Sequence, residues 1–159
     1  MSNISVRKGT AADMPAVHAL VRELAIYEKA EHEVHTSVEE YTRDGFGDRP
    51  FFECYVAETP EAGIIGIAFF YLAYSTWKGK MLYLDDLVIT ESFRRQGIGS
   101  LLLNRLVQHA REHDVNQVRW QVLDWNEPAI RMYEKVGADL DSEWINCKLS
   151  KEQIAGWGG

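Results

Sequence analysis

The sequence is poor in the residues that form covalent or metal-stabilised scaffolds. Only two cysteines, Cys54 and Cys147, occur among 159 residues, which excludes a disulfide framework or a cysteine-rich metal cluster. Tyr55 follows Cys54, and Ile145 and Leu149 lie two residues from Cys147, so we expect buried free thiols. The sequence contains no run of about 18 apolar residues, so it predicts no membrane-spanning helix. The N-terminus also lacks the apolar core of a signal peptide. These features predict a cytoplasmic protein.

Positive charge is also scarce, because the formal net charge is −7. A nucleic-acid partner normally requires a basic face, so neither a nucleic acid nor a membrane is an expected partner. An acidic surface can steer cationic ligands toward the protein, or it can serve solubility alone. The length predicts a single domain over residues 1–159.

Periodicity and turn residues predict an α/β fold. Strands are predicted over residues 5–8, 51–58, 64–74, 80–89, 116–122 and 142–149. Helices are predicted from the cap Thr10 to about residue 28, and over residues 38–44, 99–113 and 129–136. The tail from residue 154 is expected to lack structure of its own. The strands on either side of helix 99–113 are predicted to be parallel in a mixed sheet.

Residues 83–107 read as a strand, a glycine-rich turn and a helix. The turn contains Arg94, Arg95, Gly97 and Gly99, and it points helix N–H groups and the positive end of a helix dipole at one spot. Leu102 breaks the dinucleotide pattern, and no Gly-Lys-Ser/Thr of a P-loop follows. We therefore predict a pyrophosphate site. The alternative is a plain strand-to-helix turn with surface arginines.

Two further motifs carry titratable side chains. Asp85 and Asp86 are adjacent in a strand, where neighbours point to opposite faces, so they are expected to have different environments. Their alternative role is to form salt bridges at a strand edge. His109 and His113 match the letters of a zinc-protease motif. A polar helix at the solvent edge explains them better, and no metal is predicted.

Four segments resemble the GNAT acetyltransferase superfamily. They are Tyr-Leu-Asp-Asp at 83–86, Arg-Arg-Gln-Gly-Ile-Gly at 94–99, Trp-Asn-Glu-Pro-Ala at 125–129 and Met-Tyr-Glu-Lys-Val-Gly-Ala at 132–138. Residues 24–28, 44–47, 50–54 and 74–80 resemble its diamine and polyamine acetyltransferases, and most of all the thialysine N-epsilon-acetyltransferase group. Spermidine/spermine acetyltransferases carry an acidic residue where Ser75 stands, and the relatives carry Glu where Asp85 stands.

The resemblance implies a GNAT-like sheet, mixed and mostly antiparallel, flanked by about four helices. It also implies acetyl-CoA as co-substrate, no metal, a homodimer, and direct acetyl transfer to a small cationic amine in a ternary complex. That amine would be a thialysine- or lysine-like amino acid, a diamine or a polyamine. Two alternatives stay open: an acetyltransferase for protein lysines or N-termini, and a non-catalytic acyl-CoA-binding module.

The resemblance also assigns site residues. Tyr133 would be the general acid at the CoA sulfur, and Asp85 would hold the amine and accept its proton. The residues expected to bind acetyl-CoA are Leu87, Val88, Ile89, Arg94, Arg95, Gln96, Gly97, Ile98, Gly99, Ser100, Asn126 and Tyr133. The residues expected to bind the amine are Tyr27, Glu28, Trp77, Asp85, Asp86 and Trp125.

Overall fold

A computed structural model describes residues 3–158 and places five strands in one sheet. The strands are β1 (Ser5–Lys8), β2 (Glu53–Thr59), β3 (Gly63–Ser75), β4 (Gly79–Ile89) and β5 (Gln117–Arg119). They lie in the order β1-β2-β3-β4-β5, with β1 to β4 antiparallel and β5 parallel to β4. The predicted mixed, mostly antiparallel sheet is thereby confirmed.

The described helices are α1 (Met14–Tyr27), α2 (Val38–Phe46), α3 (Ile98–Glu112), α4 (Glu127–Lys135) and α5 (Lys151–Ala155). The chain divides into two compact units, the first ending at Gln121 and the second beginning at Val122. The first unit contains the sheet with α1, α2 and α3, and the second contains α4 and α5. None of the helices within residues 3–158 is long and apolar enough to cross a membrane.

Local capping explains where the first helices begin. Thr10 and Asp13 form a capping box around a short 3-10 turn that leads directly into α1. The Ser37 hydroxyl accepts a hydrogen bond of 3.1 Å from the backbone N–H of Glu40, which starts α2. Gly97 caps α3 with a φ of 78°, a left-handed conformation that favours glycine. The predicted start of each of these helices is confirmed within a few residues.

The core lies on both faces of the sheet. On one face, α1 and α2 pack on strand residues such as Val56, Ile67 and Val88. A Cβ at Gly66, the neighbour of Ile67, would contact Leu102 of α3. Since adjacent strand residues point to opposite faces, α3 covers the other side.

The predicted last strand over residues 142–149 is wrong. Residues 138–150 have no regular secondary structure. The Asp141 carboxylate accepts hydrogen bonds from the backbone N–H of Glu143, at 3.0 Å, and from the indole N–H of Trp144, at 2.9 Å. Such local bonds between a side chain and nearby donors compete with strand pairing.

The tail is more ordered than expected, and one cysteine is more exposed. Ser150 and Gln153 form a capping box that starts the short helix α5, so this part of the tail does hold local structure. Cys54 is buried, and burial raises the pKa of its thiol to about 12, which makes it inert. Cys147 is exposed, contrary to the prediction.

Candidate active site

A β-bulge in β4 distinguishes the acidic pair from the rest of the strand. Along the β3–β4 ladder, Phe70 lies opposite Leu84 and Phe69 lies opposite Asp86. Asp85 therefore has no partner in the register and is the extra residue of a bulge. A bulge of this kind changes the direction of side chains without ending the strand.

The bulge brings both carboxyl groups to one face. Asp86 pairs with Phe69, which packs against the core cluster on the α1 and α2 side. Tyr83 stacks on Tyr71, which lies two residues beyond Phe69 in β3 and so shares its face. Asp85, two residues after Tyr83, follows the same alternation. The two side chains therefore share a face, contrary to the plain alternation of a strand. Their environments still differ as predicted, because Asp85 is exposed and Asp86 is half-buried.

The two aspartates and Glu28, which follows α1, form what we call the acidic trio. Burial, then the charges of Asp85 and Glu28, raise the pKa of Asp86 to about 8. Burial also raises the pKa of Asp85 and of Glu28, although the Asp85 side chain remains accessible to solvent. No ion pair within residues 3–158 involves any member of the trio. A ligand with a positive charge would relieve this repulsion.

Three tyrosines that sequence reasoning missed lie beside the trio. They are Tyr41 on α2, Tyr71 on β3 and Tyr83 on β4. Burial is the main cause of the raised pKa of each phenol, and the charge of Asp85 contributes at all three. Aromatic faces suit an alkyl ammonium. Only Tyr83 carried a sequence signal, its spacing of two residues from Asp85. Tyr71 is identified by the strand register, and Tyr41 by the packing of α2.

The remaining predicted amine-binding residues lie on three different segments of the chain. Tyr27 ends α1 beside Glu28 and is 38% exposed. Trp77 lies in the β3–β4 turn with 82% of its surface exposed. The Ser75 hydroxyl accepts hydrogen bonds from the N–H groups of Trp77 and Lys78, at 3.2 and 3.1 Å, so it caps that turn. Trp125 belongs to the second unit.

The predicted pyrophosphate turn has the backbone of an anion site. Gly97 and Arg95 have positive φ values of 78° and 65°, and α3 begins directly afterwards at Ile98. The first helical N–H groups, of residues 98–100, have no carbonyl within the helix to bond. A Cβ at Gly97 would meet no protein atom within 4 Å, so backbone conformation rather than packing requires glycine here. The turn therefore offers donors and a helix dipole to an anion.

The other predicted turn residues differ in exposure. Arg95, Gln96 and Ser100 are exposed, Gly99 is half-buried, and Ile98 is buried in the core. Arg94 is already engaged by the protein, because its Nε donates to the carbonyl of Ile89 at 3.0 Å. Some of the predicted residues of this turn are therefore accessible to a ligand, whereas Arg94 and Ile98 contact other parts of the chain.

One edge of β4 offers backbone groups beside the turn. β5 pairs with β4 only over Met81–Tyr83. Further along, Leu87, Val88 and Ile89 pair with β3. No strand in the described part of the chain pairs with their other edge. An extended ligand with amide groups could add to such an edge in the manner of a further strand.

The second unit contains the remaining predicted residues. Asn126 is the N-cap of α4, and Tyr133 is the buried residue of that helix. Trp125 precedes them and is 44% exposed. Gly137 follows α4 with a φ of 85°, as expected of a helix-ending glycine.

His109 of α3 and His113, which directly follows this helix, contact neighbouring side chains. Nδ1 of His109 lies 2.8 Å from the Tyr55 hydroxyl, and its ring stacks on His113 at 4.0 Å. His109 is buried, so the expectation of a solvent-edge position was wrong for it. Within residues 3–158, no three potential metal-ligating side chains lie together in one place.

Comparison with known proteins adds to this geometry. The chain is 36% identical to the thialysine N-epsilon-acetyltransferase of Mus musculus, with 97% of this chain and 96% of that protein covered. It is 34% identical to the spermidine/spermine N(1)-acetyltransferase-like protein 1 of Homo sapiens, over 97% of this chain and 24% of the longer human protein.

A solved structure shows the same fold. An aminoglycoside acetyltransferase from an uncultured soil metagenomic sample superposes with a TM-score of 0.76 at 18% identity, covering 92% of this chain and 95% of that one. Residues 16–138 match the family described as Acetyltransferase (GNAT) family. The chain therefore belongs to the GNAT acetyltransferase family and is an N-acetyltransferase.

Proposed function

We propose that this protein transfers the acetyl group of acetyl-CoA directly to a small cationic amine within a ternary complex. The observation that carries the proposal is the acidic trio. The bulge brings two carboxyl groups to one face near Glu28, with raised pKa values and without a basic partner among residues 3–158. This strand runs into the turn before α3. A cation site therefore precedes an anion site within one strand–turn–helix segment.

The chemistry of the turn and strand edge fits acetyl-CoA. The N–H groups of residues 98–100 and the exposed Arg95 suit a pyrophosphate, and the edge of β4 over residues 87–89 suits the amides of pantetheine. We assign Gln96, Gly97, Ile98, Gly99 and Ser100 to the turn that surrounds the phosphates. Asn126 is proposed to contact the CoA arm. Acetyl-CoA supplies the activated acyl group as a thioester.

Two residues are proposed to move protons. A lysine-type ammonium has an unperturbed pKa of about 10.4, so it must lose a proton before its nitrogen can attack the thioester carbonyl. Asp85 accepts that proton, directly or through a water molecule. As the C–S bond breaks, Tyr133 donates its phenolic proton to the departing thiolate, whose pKa of about 8.5 is close enough for transfer from a phenol.

The amine is proposed to be a thialysine- or lysine-like amino acid in preference to a polyamine. Ser75, which stands where spermidine/spermine acetyltransferases carry an acid, caps the β3–β4 turn through its hydroxyl. This part of the hairpin therefore lacks the extra negative charge that a longer polycation would use. Tyr27, Trp77 and Trp125 are proposed to complete the pocket. The relative in Mus musculus is named for thialysine, which supports the same choice.

Other expectations remain predictions. These are a homodimer, a cytoplasmic location, and a single domain that comprises both compact units. The family match over residues 16–138 extends across the unit boundary at Gln121, which supports the single domain.

A thiol-release assay tests the proposed reaction. Acetyl-CoA is offered with thialysine, lysine, putrescine, spermidine, spermine or a lysine-containing basic peptide. We expect the highest kcat/KM with thialysine or lysine. Turnover confined to the peptide would favour a protein acetyltransferase. Acetyl-CoA binding by calorimetry without thiol release for any amine would favour the non-catalytic module.

Substitution of Tyr133 tests the general acid in the same assay. Tyr133→Phe removes only the hydroxyl, so we expect kcat to fall at least about 100-fold. The dissociation constant of acetyl-CoA should change less than about threefold, since the ring remains. Wild-type turnover in this variant would remove Tyr133 from the acid role.

A further inference from the structure

A carboxylate on α1 bonds to the segment between β4 and the phosphate turn. Oε1 of Glu23 accepts the backbone N–H of Glu91 at 2.9 Å, and Oε2 accepts the Thr90 hydroxyl at 3.0 Å. Glu23 and Glu91 lie 68 residues apart in sequence. Thr90 is the N-cap of the 3-10 turn Glu91–Phe93, yet its own side chain makes no capping bond. Glu23 thus supplies the cap from another element.

Arg94 continues this connection to the turn. Its Nε donates to the carbonyl of Ile89 at 3.0 Å, and its Nη2 lies 3.8 Å from Oε1 of Glu23. The guanidinium also lies over the ring of Tyr27, with Cζ 5.3 Å from the centroid. The backbone reverses directly afterwards, where Arg95 has a φ of 65°. Arg94 therefore links the end of β4 to α1, directly before the residue at which the backbone of the turn reverses.

We infer that Glu23 is a positioning residue for acetyl-CoA, and that Arg94 works with it as an internal brace for the phosphate turn. The inference rests on the proposed binding of acetyl-CoA by this turn. Glu23 is half-buried and bonds to residues 90 and 91, which set the direction in which the chain leaves β4. Displacement of a binding group by about 1 Å can cost up to about 100-fold in rate.

The sign of one substitution separates positioning from simple electrostatics. Glu23 is a negative charge near a site for a polyanionic ligand. If it acted only through its charge, Glu23→Ala would strengthen acetyl-CoA binding, because the repulsion would be lost. If Glu23 acts as a brace, Glu23→Ala instead weakens acetyl-CoA binding, because the Thr90 hydroxyl and the Glu91 N–H lose the carboxylate that accepts their hydrogen bonds.

Calorimetric titration of the full chain with acetyl-CoA measures this sign. We expect the dissociation constant to rise about tenfold in Glu23→Ala. It should stay within about threefold of wild type in Glu23→Gln, which retains an acceptor oxygen for the Glu91 N–H. Glu61→Ala, on the exposed β2–β3 turn, is the matched control for loss of one carboxylate and should bind like wild type.

Two further readouts separate the brace from a general loss of stability. Amide hydrogen exchange of residues 90–97 should accelerate in Glu23→Ala while the β2 and β3 amides keep their protection. The double variant Glu23→Ala/Arg94→Ala should bind no more weakly than the weaker single variant, since the two side chains act as one unit.

The results have separate consequences. Acetyl-CoA binding by Glu23→Ala that equals or exceeds that of wild type would overturn the positioning role while leaving the proposed function intact. Fully additive losses in the double variant would also overturn it, because Arg94 would then act on the ligand independently. Failure of the wild-type chain to bind acetyl-CoA would overturn the proposed function itself.

Discussion

Two groups of carboxylates in the first unit have opposite electrostatic environments. Arg7 of β1 donates to Asp13 and to Glu58, with N–O distances of 2.7 Å in both cases. These hydrogen bonds hold the pKa of Asp13 at about 2. In the acidic trio, burial and neighbouring negative charges raise the pKa of Asp86 to about 8. An aspartate is therefore a stronger acid than usual in the Arg7 group and a much weaker acid than usual in the trio.

The difference reflects what each group does. Paired carboxylates stabilise the fold, because the native state favours their charged form. Carboxylates left close together in a partly buried place cost stability when they ionise, and strongly perturbed pKa values of this kind occur often at functional sites. The trio is therefore the group to test for catalysis, and the Arg7 group is the group to test for stability.

The largest expected effect concerns catalysis by the trio. Asp85→Asn keeps the shape of the side chain but cannot accept the ammonium proton, so we expect kcat to fall at least about 100-fold. Glu58→Gln, in the Arg7 group, is the matched control and should retain turnover within about twofold. Steady-state kinetics with acetyl-CoA and the preferred amine measure both. Equal losses in the two variants would remove the functional distinction between the groups.

A second effect is a pH dependence of stability due to Asp86. Its pKa rises from an ordinary 3.8 to about 8 on folding, so the native state holds a proton that the unfolded chain has lost between these values. Its contribution to stability is therefore present below about pH 4 and is lost as pH rises through about 8. Asp86→Asn removes this loss.

Chemical denaturation at pH 5 and pH 9 measures the Asp86 effect. At pH 5 the Asp86→Asn variant should be only slightly more stable than wild type, because most of the loss develops between pH 5 and pH 8. At pH 9 the variant should be the more stable by about 2 kcal/mol. This value is smaller than the full pKa shift would give, because solvent relaxes around the ionised carboxylate. A difference that does not change with pH would contradict the burial of an ionising carboxyl.

The smallest expected effect has the opposite sign. The pKa of Asp13 is lowered from 3.8 to about 2, so its contribution to stability is present above about pH 4 and is lost as pH falls through about 2. Asp13→Asn should reduce the free energy of unfolding by about 1 kcal/mol at pH 7, with the difference shrinking toward pH 2. Thermal unfolding at both pH values checks this, and a stabilised variant at pH 7 would show that the Arg7 contacts contribute nothing.

Much of the fold could be predicted because its signals are local. The capping residues Thr10 and Ser37, the turn glycine Gly97 and the alternation of β4 act within a few residues, so their elements begin close to the predicted positions. The predicted strand at 142–149 failed through an equally local competitor, since Asp141 captures nearby N–H groups. Strand propensity alone does not show whether residues 142–149 pair as a strand or form local hydrogen bonds to Asp141.

Much of the candidate site could not be predicted, because it depends on pairing between distant segments. The sequence identifies Asp85, Asp86 and Glu28 by resemblance, but it gives no information on the bulge. Tyr71 is recognised only once the β3–β4 register is known. Likewise, the sequence predicts that Arg94 binds a phosphate. Its hydrogen bond to the Ile89 carbonyl and its position beside the Glu23 carboxylate appear only in the folded chain.

By itself, the amino-acid sequence determined the order of strands and helices as far as α4, the glycine turn before α3 and the acetyltransferase family. Those features follow from residue spacing and backbone preference, which are properties of short segments. Only the tertiary structure decided that two adjacent aspartates share one face and that a carboxylate of α1 caps the segment before the turn. A one-residue offset between paired strands reverses the direction of a side chain, and burial then sets its pKa, so both depend on contacts across the sheet.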